Sequence, residues 1–264
     1  MDSRLDPCAA AAEGEIVVAT YNVEALFDCE KDHEKEDHNY LPHGFFAWDE
    51  AKLARKLANL GRAIRAINAG RGPDVLALNE VENRGVAERL RDALGNLGYE
   101  TVIHLETDCA YGLDNAVLSR FAPAGPPKLH AVGIRKARGI LEVTLDVEGA
   151  PLTLLVNHWP AGTGRFAAQR LDVGRRLRDL IEDRLRAEPD VEILVLGDFN
   201  ATPDEDAFGA RGLRATSDPA HLAEPSRSAT LLDTRPSRDG GTHFTRPYPY
   251  TGDDGQWTAS TTSS

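Results

Sequence analysis

Asp198 and Asn200 flank Phe199 directly after an apolar run, residues 193–196 (ILVL), that Gly197 ends. The run predicts a buried strand. A carboxylate and an amide then stand side by side at its carboxyl end, where a rigid scaffold holds geometry closely enough for chemistry. The same D-x-N also reads as a strand-end turn in which both side chains cap backbone groups, because Asp and Asn favour turns through local hydrogen bonds. Thr202 and Pro203, with Asp204 and Glu205 behind them, predict a helix start.

Three more predicted strands end on polar residues. Asn22 follows residues 15–21 (EIVVATY), Glu80 closes 74–80 (DVLALNE), and Asn157 and His158 follow 151–156 (PLTLLV). Taken singly, Asn22 reads as a turn residue and His158 as a structural histidine. Glu80 needs a partner, an arginine or a metal, because an unpaired buried charge is costly. Together the four strand ends supply oxygen ligands for a hard cation, a histidine and a carboxylate–amide pair. Mg²⁺ prefers such ligands, with Mn²⁺ the alternative ion. The inventory suits a phosphoester. A metal stabilises phosphate charge, Asp198 orients or deprotonates a water, Asn200 and His158 hold phosphoryl oxygens, and Asn157 is a candidate substrate contact.

The elements that must position these residues are legible from periodicity. Leu53, Leu57, Leu60, Ile64 and Ile67 recur at helical spacing over residues 49–68, with Lys and Arg outward. Val86, Leu90, Leu94 and Leu97 mark a second helix. Residues 165–186 form a third, with Phe166, Val173, Leu177, Leu180 and Ile181 inward. Its many arginines read as a solvated face, or alternatively as a phosphate-backbone patch. Residues 101–105 and 115–118 predict strands, and 138–147 with 151–156 a hairpin across Glu148 and Gly149. The loop 28–48 carries His33, His38 and His43 among many acids and reads as solvated rather than as a metal cluster. Strands alternating with amphipathic helices, without a linker or repeat, predict one α/β domain with a mixed sheet.

The chain has 264 residues, 41% hydrophobic and 27% charged, an ordinary globular balance. Its net charge of −12 argues against nucleic-acid binding by bulk electrostatics, although a local basic face or a divalent metal would offset the acids. No apolar run is long enough to span a membrane. Residues 1–14 carry acids and lack an apolar core, so they read as a flexible terminus rather than a signal peptide, and the expected location is cytoplasmic, or secreted if an upstream segment is missing. Cys8, Cys29 and Cys109 have no metal-ligand spacing and are too few for a disulfide framework. No protein partner is implied.

In order along the chain, TYNVEALFD from Thr20, PDVLALNEVEN from Pro73, YGLDNAVLSR from Tyr111, VNHWPAGTG from Val156 and LGDFNATPDE from Leu196 resemble the endonuclease/exonuclease/phosphatase superfamily, closest to its bacterial branch with N-V-x-x-L-F-D and N-H-W-P. The resemblance runs from Ile16 to about Trp257. It implies a four-layer α/β/β/α sandwich of two mixed sheets flanked by helices, with the site at one end. It also implies a phosphoester hydrolase, with DNA or RNA as candidate substrates. By resemblance Asn22 and Glu80 fall on metal positions, His158 on the phosphate-contacting histidine, Asp198 on the carboxylate that activates water, and Asn200 on its amide partner. Asn79 replaces the usual glutamine before the glutamate, and Ala161 a common serine.

The family closes with an aspartate-bearing strand and a Ser-Asp-His. Here the chain reads TASTTSS after Trp257, and His243 is no substitute. The domain is therefore expected over 15–257 with its C-terminal strand missing, and 258–264 as a disordered tail. A defective domain that retains metal or phosphate binding and a phosphomonoesterase acting on a small or lipid headgroup are the alternative readings.

Overall fold

A computed structural model describes residues 10–32, 35–134, 137–162, 164–202, 204–213, 215–216 and 231–232. The expectations about Cys8, His33, His243, the missing closing strand and the 258–264 tail lie outside the described residues. Residues 10–14, expected to be flexible, are fastened at Ala11, whose N–H donates to Asn68 Oδ1 and whose carbonyl accepts from Arg71.

Among the described residues, eight strands make two four-stranded sheets. β1 (Val18–Leu26), β2 (Val75–Val81), β3 (Thr101–His104) and β4 (Asp114–Ser119) form the first, in the order β1-β2-β4-β3. β5 (Lys128–His130), β6 (Ile140–Val147), β7 (Ala150–His158) and β8 (Glu192–Asp198) form the second in sequence order. Each sheet mixes one parallel pair, β1–β2 or β7–β8, with antiparallel neighbours. β9 (Ala215–Thr216) and β10 (Leu231–Leu232) make a short parallel pair. The β6–β7 hairpin turns at Glu148 and Gly149, both at positive φ, the conformation a two-residue hairpin turn requires.

Among the described residues, three α-helices cover the sheets. α1 (Glu50–Ala66) is N-capped by Asp49, which accepts from Lys52 N, and α2 (Arg84–Leu94) by Asn83, which accepts from Val86 N. Leu53, Leu57, Leu60 and Ile64 of α1 and Val86, Leu90 and Leu94 of α2 pack on Leu76, Leu78, Ala116 and Leu118 of the first sheet. α3 (Arg165–Ala187) lays Val173, Leu177 and Ile181 against Leu155, Ile193 and Val195 of the second. The intervening residues of the same strands, Val75, Ala77 and Val117 against Val143, Leu154, Val156 and Leu196, fill the space between the sheets. Strands buried on both faces explain the continuous apolar runs in the sequence, and the result is the four-layer sandwich.

Two expectations need correction. β1 does not stop before Asn22 but runs to Leu26, because a register shift between Asn22 and Leu26 bends the strand without ending it. The helix expected at Thr202 is, over 204–213, a series of turns closed by bonds such as Phe208 N to Glu205 O (2.9 Å) and Leu213 N to Ala207 O (2.7 Å). Gly212 permits the fold-back, since a Cβ there would lie 2.1 Å from Ala207 O.

Candidate active site

Parallel strands joined by a helical crossover end on the same side of their sheet. The α1 crossover does this for β1 and β2, and the α3 crossover for β7 and β8. The two sheets bring three of these carboxyl ends together, with Glu80, His158 and Asp198 at them, and Asn22 joins them from inside β1, opposite Asn79 at the start of the register shift. Asn22 Nδ2 donates to Glu80 Oε1 at 3.0 Å and to Asp198 Oδ2 at 2.8 Å. His158 Nε2 lies 3.8 Å and 3.9 Å from the same two oxygens. Residues 176 positions apart in sequence are thus in direct contact.

Local backbone aims these groups. Glu80 lies at the bulge between Asn79 and Val81 and has φ +66°, a conformation a glutamate adopts only under constraint. Asn22 Oδ1 accepts from Glu24 N at 2.9 Å, which turns the amide's Nδ2 toward the carboxylates. Asp198 divides its oxygens. Oδ1 accepts from Asn200 N at 3.0 Å while Oδ2 faces Asn22, so the turn-capping and site-facing readings hold together in one side chain. Asn200 has φ +46°, and its Nδ2 donates to Trp159 O at 3.0 Å, bracing the residue next to His158.

Beneath the site an asparagine network joins the sheets. Asn79 Nδ2 donates to Asn115 Oδ1 (2.7 Å) and to Asn157 O (2.9 Å), and Asn115 Nδ2 to Val156 O (3.2 Å). Asn157 is fully buried. Its Nδ2 donates to Leu155 O (2.8 Å) and its Oδ1 accepts from Trp159 Nε1 (3.0 Å). The side chain expected to touch substrate is therefore engaged in ordering the strand end. Trp159 stacks on Phe208, with Phe199 edge-on to both, and the three rings join the apolar cluster under α3.

Burial holds the His158 imidazole far below its ordinary value, to about 3, with the Arg138 charge adding to the effect. The ring is therefore neutral near pH 7. Arg138 Nε donates to Leu113 O at 2.6 Å. Among the described residues neither Glu80 nor Asp198 is ion-paired with lysine or arginine. Lys56 Nζ donates to Glu24 O, and burial lowers its pKa against the attraction of Glu24 and Glu80. Lys56 sits on a helix face assigned to solvent by the pattern, and Arg138 precedes a strand. Neither position carried a signal in the sequence beyond its charge.

His104, Glu106 and Asp114 also offer ligand atoms within 4.8 Å of one another. Asp114 is bonded by Thr107 through its N–H and hydroxyl, and Lys35 stands 3.8 Å from Glu106. Both carboxylates of the group thus already have protein partners.

A family profile described as Endonuclease/Exonuclease/phosphatase family matches residues 17–228. No curated protein sequence matches. Among solved structures, TDP2 from C. elegans superposes with a TM-score of 0.51 at 17% identity, over 72% of this chain and 49% of that one. The human Nocturnin catalytic domain with bound sulfate anion gives 0.52 at 20% identity, over 75% and 70%. Humanized D. rerio TDP2 gives 0.50 at 15%, over 75% and 71%. The shared feature at these identities is the fold, and this chain spans about half the length of the C. elegans TDP2 structure.

Proposed function

This chain belongs to the endonuclease/exonuclease/phosphatase family, and from that premise we propose that it is a divalent-metal-dependent phosphoesterase that hydrolyses a phosphodiester by in-line attack of water. The observation that carries the reading is the convergence of Glu80 Oε1, Asp198 Oδ2, Asn22 Nδ2 and His158 Nε2 at one end of the sandwich.

The donor set fits a hard cation. Two partly exposed carboxylates converge with no lysine or arginine paired to them among the described residues, and carboxylate oxygen is what Mg²⁺ or Mn²⁺ takes. Glu80 would hold the ion, with Asn22 contributing through Oδ1 once its amide turns over. When bound, the ion would neutralise phosphate charge as a Lewis acid. Asp198, held by the Asn200 N–H on one oxygen, presents the other as a base toward an attacking water. His158, neutral and fixed by burial, can donate from Nε2 to a phosphoryl oxygen whose charge grows in the transition state. Trp159 and Phe199, the residues after His158 and Asp198, anchor both strand ends in the apolar cluster with Phe208.

The arginines of α3 are largely engaged within the protein. Arg170 is buried, and Arg175, Arg176 and Arg178 reach backbone carbonyls. Arg184 and Arg186 pair with Glu188 and Asp183, and Arg165 lies over Phe166.

Hydrolysis of bis(p-nitrophenyl) phosphate tests the function. The expected result is Mg²⁺-dependent release of nitrophenolate that EDTA abolishes and Glu80→Gln reduces. Release that EDTA and Glu80→Gln both leave unchanged would overturn the assignment.

A further inference from the structure

We propose that Arg170 is a positioning residue that holds the loops behind His158 and Asp198 in register, an inference that rests on the phosphoester hydrolysis proposed above. Arg170 lies in α3 and is only 3% exposed. Its Nε and Nη2 donate to Glu205 Oε2 and Oε1 at 2.9 and 2.8 Å, a two-pronged pair. Its Nη1 donates to Pro160 O at 2.9 Å and Gly162 O at 2.8 Å. Pro160 and Gly162 belong to the segment that leaves β7 just after His158. Glu205 belongs to the segment that leaves β8 after Asp198 and Asn200. One guanidinium therefore closes both exits of the parallel pair that carries half of the site.

The same two segments meet on their inner side through Trp159 N to Asp198 O (2.9 Å) and Asn200 Nδ2 to Trp159 O. Arg170 is the outer half of that clamp. The helix itself is seated for the task. A Cβ on Gly174 would lie 2.7 Å from Ala207 O, so α3 presses directly on the turn segment, and Arg175 and Arg178 fasten the carbonyls of Arg211, Ala210 and Gly212. Arg170, Arg175 and Arg178 thus brace the segment that follows Asp198. Lysine cannot replace Arg170, because an ammonium lacks the planar fork that meets a carboxylate and two carbonyls at once.

Three readouts test the placement: kcat and KM on bis(p-nitrophenyl) phosphate, Mg²⁺ affinity by calorimetry, and amide hydrogen exchange at Asn200. Arg170→Lys should remain folded by circular dichroism and lose about tenfold or more in kcat, the scale of a sub-ångström to ångström misplacement. KM and Mg²⁺ affinity should stay within about twofold of wild type, since no contact to either is removed. The Asn200 amide, bonded to Asp198 Oδ1, should lose protection. Millimolar guanidinium should restore part of the kcat of Arg170→Ala, and methylammonium should not. If Arg170→Lys does not fold, Glu205→Gln carries the same expectations. Wild-type kcat and undiminished Asn200 protection in these folded variants would overturn the proposal. Should the wild type hydrolyse nothing, the function fails while Asn200 exchange still decides where Arg170 acts.

Discussion

Gly197 lies so close to Asn157 across the β7–β8 pair that a Cβ on it would stand 1.9 Å from the Asn157 carbonyl oxygen. Its φ is +129°, a conformation open to glycine alone. The same carbonyl accepts from Asn79, so the contact lies where the two sheets are tied together. Gly197→Ala must displace either strand and carry Asp198 with it. We expect a loss of roughly 3 kcal/mol or more, the sum of overpacking and a strained backbone. Denaturant melts check it. Wild-type stability would mean that β8 shifts freely at its end.

Asp198→Asn should leave the fold intact and reduce turnover by roughly 10²-fold, the scale of a lost general base. Asn can still accept from Asn200 N through its amide oxygen, which preserves the turn. Steady-state rates beside a thermal melt separate the two roles. Normal turnover in a folded variant would leave Asp198 with the turn alone.

The site was legible as residue types and the fold as periodicity, but the distances between them were not. Glu148 and Gly149 announce their turn locally, and the apolar stripes of α1 and α2 predict what they bury. Asn22 was placed at a strand end because nothing in VATYNVEAL marks a bulge, which arises from pairing with β2. Thr202 looked like a helix cap because its neighbours have the right chemistry. What decides the backbone there is tertiary: Arg170 holds Glu205, and Gly212 folds back on Ala207. Asn157, the candidate substrate contact, has its side chain bonded to Leu155 O and Trp159 Nε1, partners that no local pattern announces. The Asn79–Asn115–Asn157 network needed two sheets in place before it could be seen.

That network should be strongly coupled. Asn79 is fully buried, and Asn79→Leu would leave Asn115 Oδ1 and Asn157 O without a donor they now use. We expect a loss of about 2–4 kcal/mol, the desolvation of two stranded acceptors. The Asn79→Leu/Asn115→Leu double variant should lose less than the sum of the single changes, because one mutation already breaks the shared bond. Additive losses in denaturant titrations would show that the two asparagines act separately.

The acid dependence of stability should include a contribution from Glu142. This residue is 3% exposed on β6, and its oxygens meet Lys128 Nζ at 3.3 Å and His130 Nε2 at 2.7 Å, both on the edge strand β5. Burial alone would raise its pKa. The His130 hydrogen bond and the Lys128 charge together outweigh burial, and the carboxyl lies below its ordinary value of 4.5. A depressed carboxylate contributes stability above the unfolded value and loses it as pH falls through the folded one, because the unfolded chain then binds the proton first. Glu142→Gln should therefore destabilise the protein at pH 7 by roughly 1–3 kcal/mol, the range for a charged hydrogen-bonded pair. The difference from wild type should shrink as pH drops below 4.5, where the wild-type pair is lost as well. Paired denaturant melts at pH 7 and pH 3.5 measure it. A constant difference across that interval would mean that Glu142 contributes by shape and not by charge, and that β5 is held to the sheet by its backbone ladder alone.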